Sequence, residues 1–341
     1  MAISASSPSK IILCGEHFVV YGAPAISIPV EPRNSATLSE IPVRDEIRLK
    51  SSLGEGVIKK DGSYEGAPAL SNLAATYKFL HDKLGIGGGF DAKLSYSGVP
   101  KGMGASASVC SAFAYALCKS YGMNPTEQLI FDATQAGELV AHGARASGID
   151  AITVIRGRPQ MFQRHFNDSP RFDFHPFSLA LPEHTCFMVA DTYRGVRSST
   201  LDMVKKFAHG VEVGSTLPPE LDSGQRERII SPYMPFYEKI KAQLKPDGDQ
   251  KLLGALLDRN HTLLAERGVS CDEIDEAVEV AKGAGALGAK LTAAGGKGGA
   301  VLIYCRKFDT FAITDALAKR NYRAFELRVA NKGTEVGEKK G

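Results

Sequence analysis

The stretch Val99-Pro100-Lys101-Gly102-Met103-Gly104-Ala105-Ser106-Ala107-Ser108, which runs without a break into the apolar segment Val109 to Lys119, constrains this chain more than any other feature. Phe90 to Tyr96 alternates as a half-buried strand does, and Val109 to Lys119 reads as a helix. The order is therefore strand, glycine-rich loop, helix start. Gly102 and Gly104 let backbone N–H groups come close to a ligand, and a helix start adds unpaired donors and a positive dipole end, which together suit phosphate. An isolated Gly-x-Gly is more simply a tight turn packed with small residues. Ser106 and Ser108 raise the ligand reading, because a hydroxyl at that place either caps the helix or meets a magnesium ion.

Around this segment the chain reads as mixed α and β. Lys10 to Leu13 and Ala25 to Val30 are apolar runs flanking the turn-like Tyr21-Gly22-Ala23-Pro24, as paired strands would be. Helical spacing marks Pro68 to Leu84 and Pro125 to His142, and Ala151 to Ile155 reads as a strand. The Pro- and Phe-rich residues from Arg158 to Pro182 have no clear period and suit a crossing between domains. Two domains, 1–170 and 171–331, with a polar tail over 332–341, are the expected division of a 341-residue chain. In the second domain, strands are expected at Cys186 to Ala190, Ala300 to Tyr304 and Tyr322 to Val329. Helices are expected at Ser199 to Ala208, Ile229 to Leu244, Lys251 to Glu266, Cys271 to Ala284 and Phe308 to Arg320.

Several chemistries are disfavoured. A net charge of +3 without a basic tract fits small anions better than nucleic acid. The six cysteines, at 14, 110, 118, 186, 271 and 305, form no C-x-x-C or Cys/His cluster, so neither a disulfide framework nor a zinc site is expected. No apolar stretch reaches spanning length and the N-terminus lacks a signal-peptide pattern, so no membrane association and a cytoplasmic location are expected. Gly283, Gly285 and Gly288 match G-x-G-x-x-G but follow a helix, against the strand a dinucleotide fingerprint needs, and Ala289 before Lys290 spoils a P-loop. The four glycines in Ala293-Ala294-Gly295-Gly296-Lys297-Gly298-Gly299 exceed what a simple turn requires, and imply close approach to a ligand or another loop. Glu138, late in a helix, and Asp150, after a Ser-Gly turn, suit a metal and a substrate hydroxyl, although each alone is more simply a solvated charge.

In order and spacing these segments resemble the three motifs of the GHMP kinases, the family of galacto-, homoserine, mevalonate and phosphomevalonate kinases. The first runs from Lys10 through Gly15-Glu16-His17 to Tyr21-Gly22, the second is Pro100 to Ser108 and the third is Lys290 to Gly299. The first is closest to the mevalonate kinase version. The resemblance implies an α+β, two-domain fold: an N-terminal domain like domain 2 of ribosomal protein S5, then a ferredoxin-like C-terminal domain, with ATP and substrate between them. It implies phosphorylation of mevalonate to 5-phosphomevalonate, with ATP and Mg²⁺. Another acceptor within the family and a non-catalytic regulator are the rival readings. A homodimer is among the assemblies the resemblance allows.

Carried over by residue, the resemblance makes Ser106 and Glu138 the magnesium ligands and Asp150 the general base, with Lys10 lowering the pKa of the attacked hydroxyl and steadying Asp150. Pro100, Lys101, Gly102, Met103, Gly104, Ala105, Ser106, Ala107 and Ser108 form the ATP loop. Glu16, His17 and Thr200 lie near substrate, and Gly295, Gly296 and Gly298 belong to the third-motif loop. The chain departs from the family where Ala105 replaces a serine, where Ala293 and Lys297 replace glycines, and where Arg145 occupies an extra position before Asp150.

Overall fold

Two long strands, Ala2–Cys14 (β1) and Ala25–Glu40 (β2), open the chain and pair antiparallel along almost their whole length. They extend beyond the apolar runs that signal them, because Asn34, Ala36 and Leu38 in β2 turn inward between more exposed neighbours. The computed structural model describes residues 2–42, 44–142, 146–166, 171–195, 200–209 and 221–336. Strands Ile47–Ser51 (β3), Gly54–Ile58 (β4) and Tyr64–Gly66 (β5) occupy a stretch to which the sequence reading assigned no element, and Phe90–Ser95 (β6) alternates buried and exposed residues as expected. β1, β2, β6, β3, β4 and β5 lie side by side in that order, and only the β3–β6 pair is parallel. Helices Ser71–Leu84 (α1), Ala105–Ser120 (α2) and Glu127–Ala141 (α3) pack together, with α2 against β1 and β2.

Ala151 to Ile155, expected as a strand, lies inside the helix Ile149–Arg156 (α4). A five-residue apolar run carries no period that separates strand from buried helix. What decides is the punctuation, with Gly148 and Gly157 both left-handed at the two helix ends. The hairpin Gln160–His165 (β7) and Arg171–Pro176 (β8) joins the inner half of β2, so it straddles the expected division at residue 170 and lies with the first body. Its phenylalanines account for the aperiodic composition: Phe162, Phe172 and Phe174 pack on one another, and Phe172 and Phe174 also meet Phe131 of α3 edge-on.

The second body is a four-stranded antiparallel sheet with helices. Thr185–Asp191 (β9) is followed by Thr200–His209 (α5), Ser223–Ile230 (α6), Met234–Gln243 (α7), Gln250–Glu266 (α8) and Asp272–Gly283 (α9). Gly288–Thr292 (β10), Ala300–Arg306 (β11), Thr310–Ala318 (α10) and Arg323–Glu326 (β12) complete it, with strand order β10-β11-β9-β12. The single helix expected from Ile229 to Leu244 is two. Pro235 lacks the N–H an interior position needs and is accommodated in the first turn of a new helix. The closing strand is likewise broken at Leu327, because the chain crosses back there: Arg328–Val329 (β13) pairs with β2, and Glu335–Val336 (β14) pairs with β1. The expected tail thus contributes to the first sheet as far as Val336. Among the described residues no helix is long and apolar enough to cross a membrane.

Candidate active site

The cavity between the two bodies, about 120 Å³, is walled by the ends of several elements that the sequence keeps far apart. Lys10 comes from β1, Glu16 and His17 from the turn after it, Gly102 from the loop before α2, Glu138 and His142 from the end of α3, Asp150 from the first turn of α4, and Ala293 and Ala294 from the loop after β10.

Lys10 is at the centre. Only 2% exposed, it places Nζ 2.9 Å from Asp150 Oδ1 and donates to the Gly102 carbonyl at 3.0 Å. Its own backbone N–H donates to the Met103 carbonyl, so strand and loop are locked together. The lysine stem crosses directly over Gly104, which has φ +69°, and a Cβ there would stand 2.7 Å from Lys10 Cγ. With Nζ pinned at both partners, the stem has nowhere to move. Gly104→Ala is therefore expected to destabilise the fold by about 1–3 kcal/mol and to lower kcat by displacing Lys10. A thermal melt together with steady-state rates checks this, and a variant with normal stability and rate would show that the lysine is not held as described.

The second motif divides into two halves. Gly102 is exposed and faces Ala293 so closely that a Cβ on Gly102 would lie 2.3 Å from the Ala293 methyl. Ala293 itself has φ +71°, a conformation that favours glycine, so the departure at this position costs backbone strain. Lys101 reaches across to the second body, its Nζ 3.4 Å from the centre of the Tyr193 ring. Ala105 and Ser106 are partly open at the start of α2, and the Ser106 hydroxyl accepts from Asn72 Nδ2 at 2.8 Å. Pro100, Met103, Ala107 and Ser108 are buried instead. Ser108 donates to the Ser7 carbonyl at 2.8 Å, which turns its hydroxyl into the sheet and away from the cavity.

Glu138 is buried, with Oε2 3.3 Å from His142 Nε2 and Oε1 without a hydrogen-bond partner. Burial pushes the Glu138 carboxyl up, but hydrogen bonds from His142 and Ser106 and the charge of Lys10 outweigh it and hold it below the usual range. The imidazole of His142 is raised in turn, since Glu138 outweighs the effect of its own burial. Glu138, His142 and Asp150 each bring one ligand atom to within 4.8 Å of the others.

Glu16 and His17 tie the first motif to the third. Lys290, completely buried in β10, donates to Glu16 Oε1 and to the Leu291 carbonyl, while Glu16 Oε2 is buried without a partner. His17 has φ +61°, stacks on Phe207 of α5 at 5.1 Å and sits 3.0 Å from the Ala294 carbonyl through Nε2. Burial lowers its pKa to about 4, so the ring is neutral at pH 7; a carbonyl only accepts, which puts the proton on Nε2. The glycines of the third motif are engaged by their own domain. Gly295 abuts the Val269 carbonyl, the Gly296 N–H donates to that carbonyl, and the Gly298 N–H donates to Cys271 Sγ at 3.3 Å. Thr200 opens α5, but its side chain lies outside the described residues, as do Arg145 and Arg197 to Ser199.

The structure thus brings Lys10, Glu16, His17, Gly102, Ser106, Glu138 and Asp150 together, and directs Ser108 elsewhere. Lys290, Asn72 and His142 were assigned no role in the site from the sequence. A lysine expected inside an apolar domain needs a counter-charge, which is a usable signal for Lys290, but nothing in sequence spacing links it to Glu16.

Residues 71–158 match the family described as GHMP kinases N terminal domain, and residues 237–324 match GHMP kinases C terminal. A mevalonate kinase of Aeropyrum pernix is 29% identical over 99% of both chains. One from Thermococcus gammatolerans is 32% identical over 87% of this chain and 88% of its own. The crystal structure of L. major mevalonate kinase in complex with R-mevalonate superposes with a TM-score of 0.76 at 24% identity, covering 97% of this chain and 96% of that one.

Proposed function

Because the chain belongs to the GHMP kinase family, as a mevalonate kinase-like member, we propose that it transfers the γ-phosphoryl group of ATP to the primary alcohol of mevalonate. One observation carries the chemistry: the 2.9 Å Lys10–Asp150 pair stands in the cavity where the first, second and third motifs meet. Asp150 is the base that takes the hydroxyl proton, and Lys10 orients its carboxylate and offsets the charge that develops on the attacking oxygen. Gly102 to Ser106 and the start of α2 present backbone donors to the phosphates. Phosphoryl transfer asks for alignment and charge stabilisation more than for covalent catalysis, and this set of side chains is suited to that.

The donor set fits magnesium, an ion that takes oxygen ligands: Glu138 offers an unpartnered buried Oε1, and the Ser106 hydroxyl is near enough to help hold the same carboxyl below its usual range. Bound there, the ion would offset charge on the phosphate oxygens. His142 fixes the other Glu138 oxygen, and Asn72 fixes Ser106. Glu16 and His17, held by Lys290 and Ala294, line the acceptor side of the cavity.

ADP release with Mg-ATP, measured across mevalonate, phosphomevalonate, galactose and homoserine and followed by ³¹P NMR of the product, tests the reading. Turnover on mevalonate to the 5-phosphate is expected. Turnover on a different acceptor alone would overturn the substrate, and silence on all four would overturn the assignment as a kinase of this set.

A further inference from the structure

Six cysteines scattered over the sequence give no sign of pairing, yet the second sheet sets two of them face to face. Cys186 in β9 and Cys305 in β11 are direct partners in the antiparallel register, and their sulfurs are 3.7 Å apart. Opposed residues in such a pair have Cα atoms about 4.5–5.5 Å apart, inside the window of about 4.4–6.8 Å that a disulfide spans. The sulfurs have to close from 3.7 Å to about 2.05 Å for the bond to form.

The two thiols differ in access. Cys305 is fully buried, whereas Cys186 lines a second cavity, of about 180 Å³, at the back of the junction between the bodies, beside Phe187, Lys307 and Leu327. Their chemistry differs in the same sense. The hydrogen bond with Cys305 holds the Cys186 thiol below the ordinary range against the opposing effects of its burial and of Glu326, while burial pushes Cys14, Cys110 and Cys118 up. Because only Cys186 of the pair opens onto the cavity, it is the nucleophile that a small reagent can reach, and Cys305 is placed to resolve what forms on it.

We propose that Cys186 and Cys305 form a reversible modification site, in which Cys186 reacts with a low-molecular-weight disulfide entering the rear cavity and Cys305 closes the cross-strand bond. The Cys186 thiolate attacks one sulfur of the small disulfide RSSR, forms a mixed disulfide and expels RS⁻. The Cys305 thiolate then attacks Cys186 Sγ and expels the second RS⁻. Two protons pass from the cysteines to the two released thiolates, so the protein loses two hydrogens and RSSR is reduced to two RSH. The bond joins the ends of β9 and β11 remote from the active cavity, since the Asp191–Ala300 pair at the other end adjoins the third-motif loop. Five residue steps of strand separate the two ends, about 17 Å, so the oxidised form is expected to gain thermal stability and to keep its turnover.

The full chain is incubated with oxidised glutathione, free thiols are alkylated, and non-reduced peptides are mapped by mass spectrometry. A cross-linked peptide pair containing Cys186 and Cys305 is expected, with the thermal midpoint raised by several degrees and restored by dithiothreitol. Cys305→Ala should trap one glutathione on Cys186, and Cys186→Ala should leave Cys305 unmodified. Cys271, partly exposed and without a cysteine partner, should take up glutathione without cross-linking and so reports that the oxidant has acted. If Cys271 is modified while Cys186 and Cys305 both stay free in the wild type, or if Cys186 holds glutathione without ever closing the bond, the proposal is wrong. The wild-type map decides this without the variants.

Discussion

Replacing Asp150 by Asn is expected to lower kcat by about 10²–10⁴-fold while leaving the affinity for Mg-ATP essentially unchanged. The substitution keeps size, and its amide oxygen still accepts from Lys10 Nζ, which also retains the Gly102 carbonyl at 3.0 Å. What it removes is the capacity to take a proton. In the proposed reading Asp150 serves the acceptor and lies outside the Gly102 to Ser106 loop assigned to the phosphates, so nucleotide binding is not expected to suffer. Single-turnover rates with saturating mevalonate, beside a direct titration of nucleotide binding, separate the two quantities. A variant that turns over like the wild type would move the base to another residue. Loss of both rate and nucleotide binding would mean that the substitution disturbs the loop, which a circular dichroism melt would reveal.

The second large effect concerns stability. Lys290→Met should destabilise the folded chain by about 3–5 kcal/mol, because it leaves the Glu16 carboxyl fully enclosed and without its counter-charge. Both groups are essentially inaccessible, and Glu16 already has one oxygen without a partner. The cost comes from the stranded charge more than from the loss of a favourable contact, so the double variant Glu16→Gln/Lys290→Met is expected to recover much of the loss. Urea unfolding of the wild type, both single variants and the double variant closes the cycle. Additive losses in the double variant would show that the pair is not coupled across the two bodies. Kinetics on the double variant then ask a different question, namely whether the Glu16 carboxylate itself is needed for the acceptor.

Much of the site was legible because its chemistry is local. Gly102 to Ser106 lie in a short segment whose residue types already suggest phosphate, whereas Lys10, Glu138 and Asp150 were singled out by the resemblance of the motifs around them. Long periodic elements were legible for a similar reason, as α1, α2, α3, α8 and α9 each present a clear helical pattern. What escaped depended on partners distant in sequence. Ser108 looked equivalent to Ser106 until the fold placed the Ser7 carbonyl beside it. The 151–155 run carried no period to contradict a strand, and the flanking glycines were the better guide. The strands between residues 47 and 66 are short and half exposed, so their polar composition hid them. The β7–β8 hairpin was concealed by phenylalanines that serve packing against α3 more than alternation across a sheet.

The return of the chain to β1 has a further consequence, for the order in which the molecule can be assembled. Ala5 pairs with Val336 and Ser6 with Glu335, while Arg33 grips the Lys332 carbonyl and Thr334 bonds the hydroxyls of Ser7 and Ser111. The first strand described is therefore completed by the last residues described, and the order of the elements along the chain is not the order in which its sheet closes. No N-terminal fragment, however well chosen its end, contains the finished edge of the sheet that carries Lys10.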